Sequence, residues 1–160
     1  ASVQIILNAF RLKPLDEVLP AAREVGVGII ARVPLASGLL SGRYQGDTAF
    51  AANDHRTFNR HGESFDVGET FSGVDFEQGV EAAQEFASLA TDHGLKPVTA
   101  ALAWVAQCDG VSSVIPGARS AEQVRANAEA GSVPSLGPEF TDQVTALYDR
   151  YFRETIHPRW

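Results

Sequence analysis

Apolar residues follow two rhythms along the chain. Val3 to Leu7, Val27 to Val33 and Val111 to Ile115 are short runs rich in β-branched residues, the first stopped by Asn8 and the last by Pro116-Gly117. The first, a nearly continuous apolar run, fits a buried parallel strand better than a half-solvated one, which alternates. Elsewhere the period is helical. Pro14 opens a segment with Asp16 and Glu17 in its first turn, an apolar face of Leu15, Val18, Leu19, Ala22 and Val25, and a stop at Gly26. Proline and carboxylates suit a helix N-terminus, where N–H groups are free and the dipole is positive. Phe76 to Ala90 carries a stripe at Val80, Ala83, Phe86, Ala87 and Ala90, and Pro97 to Gln107 reads as a more buried helix. Ala121 to Ala130 and Pro138 to Phe152 complete the helices, the last amphipathic through Phe140, Val144, Leu147, Tyr148 and Tyr151.

One helix and short turns separate the first two strands, the spacing of a right-handed βαβ crossover, so the fold class is α/β with parallel strands. A closed barrel of such units typically takes eight strands in about 250 residues. Three strands in 160 residues fall short of that count, so the chain reads as one incomplete domain over 1–160. Between Ser41 and about Gly73 the chain is polar and aromatic, with five glycines and no sustained period. A loop that long in a compact domain is usually functional or mobile.

Composition narrows the function classes. The chain is 44% hydrophobic and 21% charged, which predicts a packed core. Its 20 acids against 13 bases give a net charge of -7, which argues against nonspecific nucleic-acid binding and requires any anionic ligand to be met locally. A single cysteine, Cys108, cannot form an internal disulfide, and no apolar run reaches the roughly 20 residues of a membrane span. The opening ASVQIILNAF reads as a strand rather than a signal peptide, so a reducing cytoplasm is the expected compartment. The absence of methionine fits a chain that has lost its initiator or begins in mid-protein.

Two loops carry candidate chemistry. Pro34 to Tyr44, PLASGLLSGRY, follows directly on a strand and gathers Ser37, Gly38, Ser41 and Gly42. Glycines let backbone amides approach an anion and serines add hydroxyl donors, while a tight surface turn is the plainer reading. It is neither a Walker loop nor a G-x-G-x-x-G fingerprint. The second loop, Pro116-Gly117-Ala118-Arg119-Ser120, leads from a strand into a helix containing Gln123 and Asn127. Free amides, the helix dipole and the Arg119 fork favour a phosphate there, and Gln123 and Asn127 share one helical face suited to an adenine edge or ribose. Ser120 alone is more often just an ordinary N-cap. His55, His61, His93 and His157 show no metal-ligand spacing with Cys108, and Ser41, His61 and Asp66 lack a nucleophile elbow, so neither a metal site nor a hydrolase is predicted.

ARVPLASGLLSGRY, LAWV and VIPGARSAEQVRAN, in this order and spacing, resemble the last three strands of an aldo-keto reductase. The resemblance implies the C-terminal portion of a (β/α)8 TIM barrel, with NADPH extended across its mouth and a small carbonyl compound as substrate. It matches Gln4 to the nicotinamide carboxamide contact and Arg32 to a position, often aromatic, beneath the nicotinamide ring. Pro34, Leu35, Ser37, Gly38 and Leu40 match the pyrophosphate loop, and Gly117, Arg119, Gln123 and Asn127 match the adenosine and 2′-phosphate site. Ala126 departs from an adenine-contacting glutamate frequent in the family. The family's catalytic aspartate, tyrosine, lysine and histidine lie on earlier strands than the one holding Gln4, so no catalytic residue is assigned here. Tyr44, Tyr148 and Tyr151 fall outside that motif. The tail from Thr155 to Trp160 is expected near the substrate mouth, with Asp54, His55, Arg56, Asn59 and Arg60 forming a solvated or cofactor-covering lid. Whether the chain catalyses is left open; the alternative is a non-catalytic NADP(H)-binding or interaction module. Exposed parallel edges predict self-association or pairing with an N-terminal barrel portion.

Overall fold

The computed structural model describes residues 1–159; Trp160, a candidate ligand contact, lies outside the described residues. Three parallel strands, β1 (Ser2–Ile6), β2 (Gly28–Arg32) and β3 (Val111–Ile115), form one sheet in that order. Ile6 stands beside Arg32 and Arg32 beside Ile115, so the strands end level and the loops that follow them emerge from the same end of the sheet. Gly28 leaves room for the Ser112 side chain of β3, since a Cβ there would stand 2.9 Å from Ser112 Oγ.

The crossover from β1 to β2 runs through a 3-10 turn, Lys13–Leu15, and α1 (Val18–Glu24). The continuous helix expected from Pro14 is thus divided. Pro20 falls in the first turn of α1, where a missing N–H costs nothing because those donors have no helical partner. The remaining helices are α2 (His55–Phe58), α3 (Phe76–Asp92), α4 (Pro97–Gln107), α5 (Ala121–Glu129) and α6 (Gly137–Tyr151). The core joins Leu7, Phe10 and Ile29 to Leu39, Leu40, Phe71, Phe86, Trp104, Phe140 and Tyr148.

One burial expectation is corrected. Ser2, Val3 and Gln4 of β1 are exposed, and β3 is also largely exposed. A sheet three strands wide leaves its outer strands with one uncovered edge each, so an apolar run does not ensure burial there. α5 contains no buried residue, and Val124 is 57% exposed.

The stretch from Ser41 to Gly73 is a packed excursion, not a structureless loop. Tyr44, Phe50, Phe71 and Phe76 form an aromatic cluster with ring centroids 5.1–6.4 Å apart. The Arg56 guanidinium lies 4.4 Å from the Phe50 centroid and that of Arg60 lies 4.7 Å from the Phe76 centroid. Buried Asn59 accepts from Ser64 N and Phe65 N at 2.9 and 2.8 Å, folding the segment back on itself. Local sequence periodicity is blind to such a core because its partners meet through irregular turns.

Candidate functional site

The chain leaves β2 through a strained turn. Val33, Ala36 and Ser37 have φ of 54°, 48° and 55°, and Gly38 has φ of 97°. Left-handed backbone at a β-branched residue such as Val33 is an outlier, and each such non-glycine residue costs about 1 kcal/mol or more unless its surroundings hold it. The surroundings do. Asn8, buried at the end of β1, donates from Nδ2 to Val33 O at 2.9 Å and to Ser72 Oγ at 2.7 Å. Ser37 Oγ donates to Glu69 O and accepts from Phe71 N, both at 3.1 Å, while the Tyr44 hydroxyl donates to Ser37 O at 3.2 Å. Gly38 is required by this packing, because a Cβ would stand 2.2 Å from Tyr44 Oη.

Arg32 ends β2 in a two-pronged ion pair. Its Nη1 and Nη2 donate to Glu69 Oε2 and Oε1 at 2.6 and 2.5 Å. The pair holds the Glu69 carboxyl below, and raises the Arg32 guanidinium above, its ordinary pKa. His55 Nε2 lies 3.5 Å from Ser37 Oγ, and Asp54 caps α2 by accepting from Arg56 N while its carboxylate binds the Arg56 guanidinium. That side-chain bond, more than the nearby charge, holds Asp54 well below the ordinary carboxylate range. Arg56 also donates to the Tyr44 hydroxyl.

These shifts have a definite sign. Groups with depressed folded pKa values contribute stability that is present above their unfolded values, about 4, and lost as pH falls through the folded ones. We expect the 42–73 segment to loosen below about pH 4 as Glu69 and then Asp54 take up protons. Asn caps a helix as well as Asp, so Asp54→Asn flattens this acid limb while preserving α2. Near-ultraviolet circular dichroism of the aromatic cluster during acid titration is the check, and an acid limb equally steep in the variant contradicts the assignment.

Beyond β3, Ser120 is the N-cap of α5, accepting from Gln123 N at 3.2 Å. Gln123 Oε1 accepts from Arg119 N at 2.7 Å, and Asn127 Nδ2 donates to Gly117 O at 3.3 Å. Gly117, Arg119, Gln123 and Asn127 are therefore brought together, though both amide side chains face their own loop in this structure rather than standing free. Among the described residues the Arg119 guanidinium has no hydrogen-bond or ion-pair partner, and the residue is exposed.

The other candidates separate by burial. Gln4 is exposed in β1 beside Ile30. Pro34 and Leu40 are buried, and Leu40 is sealed in the core at 0% exposure, which restricts it to main-chain contact with any ligand. Leu35, Ser37 and Gly38 are half-buried. Cys108 is half-buried; desolvation pushes its thiol up to about 12, which leaves it protonated and a poor nucleophile. No helix among the described residues is long and apolar enough to cross a membrane.

Glu69 and Asn8 are the residues sequence reasoning missed. Asn8 registered only as a strand stop, and Glu69 lies 37 positions from its partner Arg32 in a segment without period. The one available signal was the arginine itself, a charge at the end of the apolar run Val27 to Val33, where a counterion is expected.

This is an α/β chain whose strand-end loops converge on one end of a parallel sheet. The family model for the aldo/keto reductase family matches residues 1–149, and the chain belongs to that family. It is 30% identical to an aldo-keto reductase of Strobilurus tenacellus over 137 residues, covering 83% of this chain and 38% of that protein. It is likewise 30% identical over 143 residues to a probable voltage-gated potassium channel subunit beta of Oryza sativa subsp. japonica, covering 86% and 40%. Among solved structures, a glycerol dehydrogenase from Gluconobacter oxydans superposes with a TM-score of 0.77 at 27% identity, over 95% of this chain and 43% of that one. An aldo-keto reductase from Bacillus halodurans in its holo form shares the fold, with a TM-score of 0.67 at 24% identity, over 98% and 46%. The chain thus spans less than half the length of these relatives.

Proposed function

We propose that residues 1–160 are the C-terminal, cofactor-holding portion of a (β/α)8 aldo-keto reductase barrel, an oxidoreductase that uses NADPH to reduce a small carbonyl compound to an alcohol. The observation that carries this reading is the strained turn after β2. Strained backbone held against its cost clusters at ligand sites, and here it lies at the C-terminal ends of parallel strands, where barrel enzymes bind their ligands. The donor chemistry fits an extended dinucleotide. The exposed Arg119 guanidinium at the start of α5 suits a 2′-phosphate, with Gly117, Gln123 and Asn127 beside it for the adenosine. Pro34, Leu35, Ser37, Gly38 and the main chain at Leu40 would line the pyrophosphate. Gln4 would take the carboxamide and Arg32 the face of the nicotinamide. When bound, NADPH supplies the hydride. The chain's own part is to hold and orient, with the excursion that carries His55 and Arg56 covering the loop and excluding water. The open edges of β1 and β3 are the surfaces for pairing with further barrel strands or a second copy, and the cytoplasm is the proposed compartment.

Melting the purified chain with and without NADPH tests this. A ligand that binds only the folded state at 100 times its dissociation constant adds about 2.7 kcal/mol, or about 5 °C or more in Tm for a domain of this size. The expected result is that shift without oxidation of NADPH when a simple aldehyde is added. No shift at saturating NADPH sinks the cofactor assignment, and turnover would place a proton donor within this chain.

A further inference from the structure

Arginine is an unusual neighbour for a nicotinamide ring, because the oxidised ring is cationic and the reduced ring neutral. A bare guanidinium against it would disfavour the oxidised form. Arg32 is not bare. Both of its terminal nitrogens are engaged by the Glu69 carboxylate at 2.5 and 2.6 Å, with the two side chains 33% and 30% exposed. Nor is Glu69 there by a chance rotamer. Its carbonyl accepts from Ser37 Oγ, and Phe71 N, two residues on, donates to the same hydroxyl. The carboxylate is therefore presented by backbone pinned to the anion loop itself, and the fork fixes the plane of the guanidinium.

We propose that Glu69 is a positioning residue that neutralises Arg32 at the cofactor face and so sets the relative affinity of the site for oxidised and reduced NADP. The inference rests on the cofactor reading above and adds a role that Arg32 alone does not carry. Asp66, Arg11 and His55 also act on the pair electrostatically, but they are common to every variant and cancel in a ratio.

The test is calorimetric titration of the chain with NADP+ and, separately, with NADPH. Glu69→Gln leaves Arg32 uncompensated and raises the ratio of the NADP+ to the NADPH dissociation constant by roughly fivefold, the scale of one partly screened charge. Arg32→Gln leaves the carboxylate uncompensated and lowers the ratio by a similar factor. The R32Q/E69Q double variant returns it close to the starting value. A purely structural role for the pair would weaken both forms alike and leave the ratio unchanged in all three variants. If both forms bind and E69Q does not move the ratio, the role of Glu69 is overturned while the cofactor reading stands. If the unsubstituted chain binds neither form, the cofactor reading falls and this inference with it.

Discussion

Replacing Arg119 by alanine is expected to weaken NADPH binding by about 10- to 100-fold while leaving NADH binding within about twofold, the range of charge-assisted hydrogen bonds worth about 1.5–3 kcal/mol. The expectation depends on which parts of Arg119 are already occupied. Its main-chain N–H is tied to Gln123 Oε1, and the loop is braced separately by Ser120 capping α5 and by Asn127 on Gly117. None of these bonds uses the guanidinium, so its removal leaves the loop in place. What is lost is a planar cation beside a helix N-terminus, the combination that favours a phosphate. NADH lacks the 2′-phosphate and has nothing to lose there. Calorimetric titration with the two nucleotides reads the difference directly. Equal losses for NADPH and NADH would show that Arg119 shapes the loop instead of meeting the extra phosphate.

What the sequence disclosed and what it hid divide along physical lines. Helices such as α3 and α6 were legible because burial of one face imposes a 3.6-residue period, α4 because an apolar run follows a helix-opening proline, and β3 because a short segment with Val and Ile ends at a Pro-Gly break. The candidate loops were legible too, since their glycines, serines and Arg119 stand directly after strands. The geometry that holds them was not. Val33, Ala36 and Ser37 adopt positive φ without being glycine, and nothing in their identities announces it. The strain is sustained by Asn8, Tyr44, Glu69 and Phe71, residues that meet the turn only through tertiary packing. Burial of β1 was misjudged for a related reason. An apolar run specifies a strand, but whether that strand is covered depends on its neighbours in the sheet.

The turn after β2 also supplies the largest expected effect on stability. Gly38→Ala is expected to cost about 2–4 kcal/mol, combining the strain of a side chain at positive φ with overpacking against a fixed neighbour. Gly38 has φ of 97°, and an added Cβ would lie 2.2 Å from Tyr44 Oη and 2.9 Å from Tyr44 Cζ. Tyr44 cannot swing aside freely. Its hydroxyl donates to Ser37 O and accepts from Arg56, and its ring packs edge-on against Phe50 at 5.1 Å. Displacing it breaks the bond to Ser37 and loosens the aromatic cluster, so the damage spreads from the turn to the 42–73 excursion. Urea unfolding of four chains, unsubstituted, G38A, Y44F and the double variant, separates the contributions. Y44F removes the nearest clashing atom but not the ring, so G38A should cost less in that background, with the backbone strain and the contact at Cζ remaining. Strict additivity of the two substitutions would mean that Tyr44 is not what confines residue 38 to glycine, leaving the backbone angle alone to account for the loss.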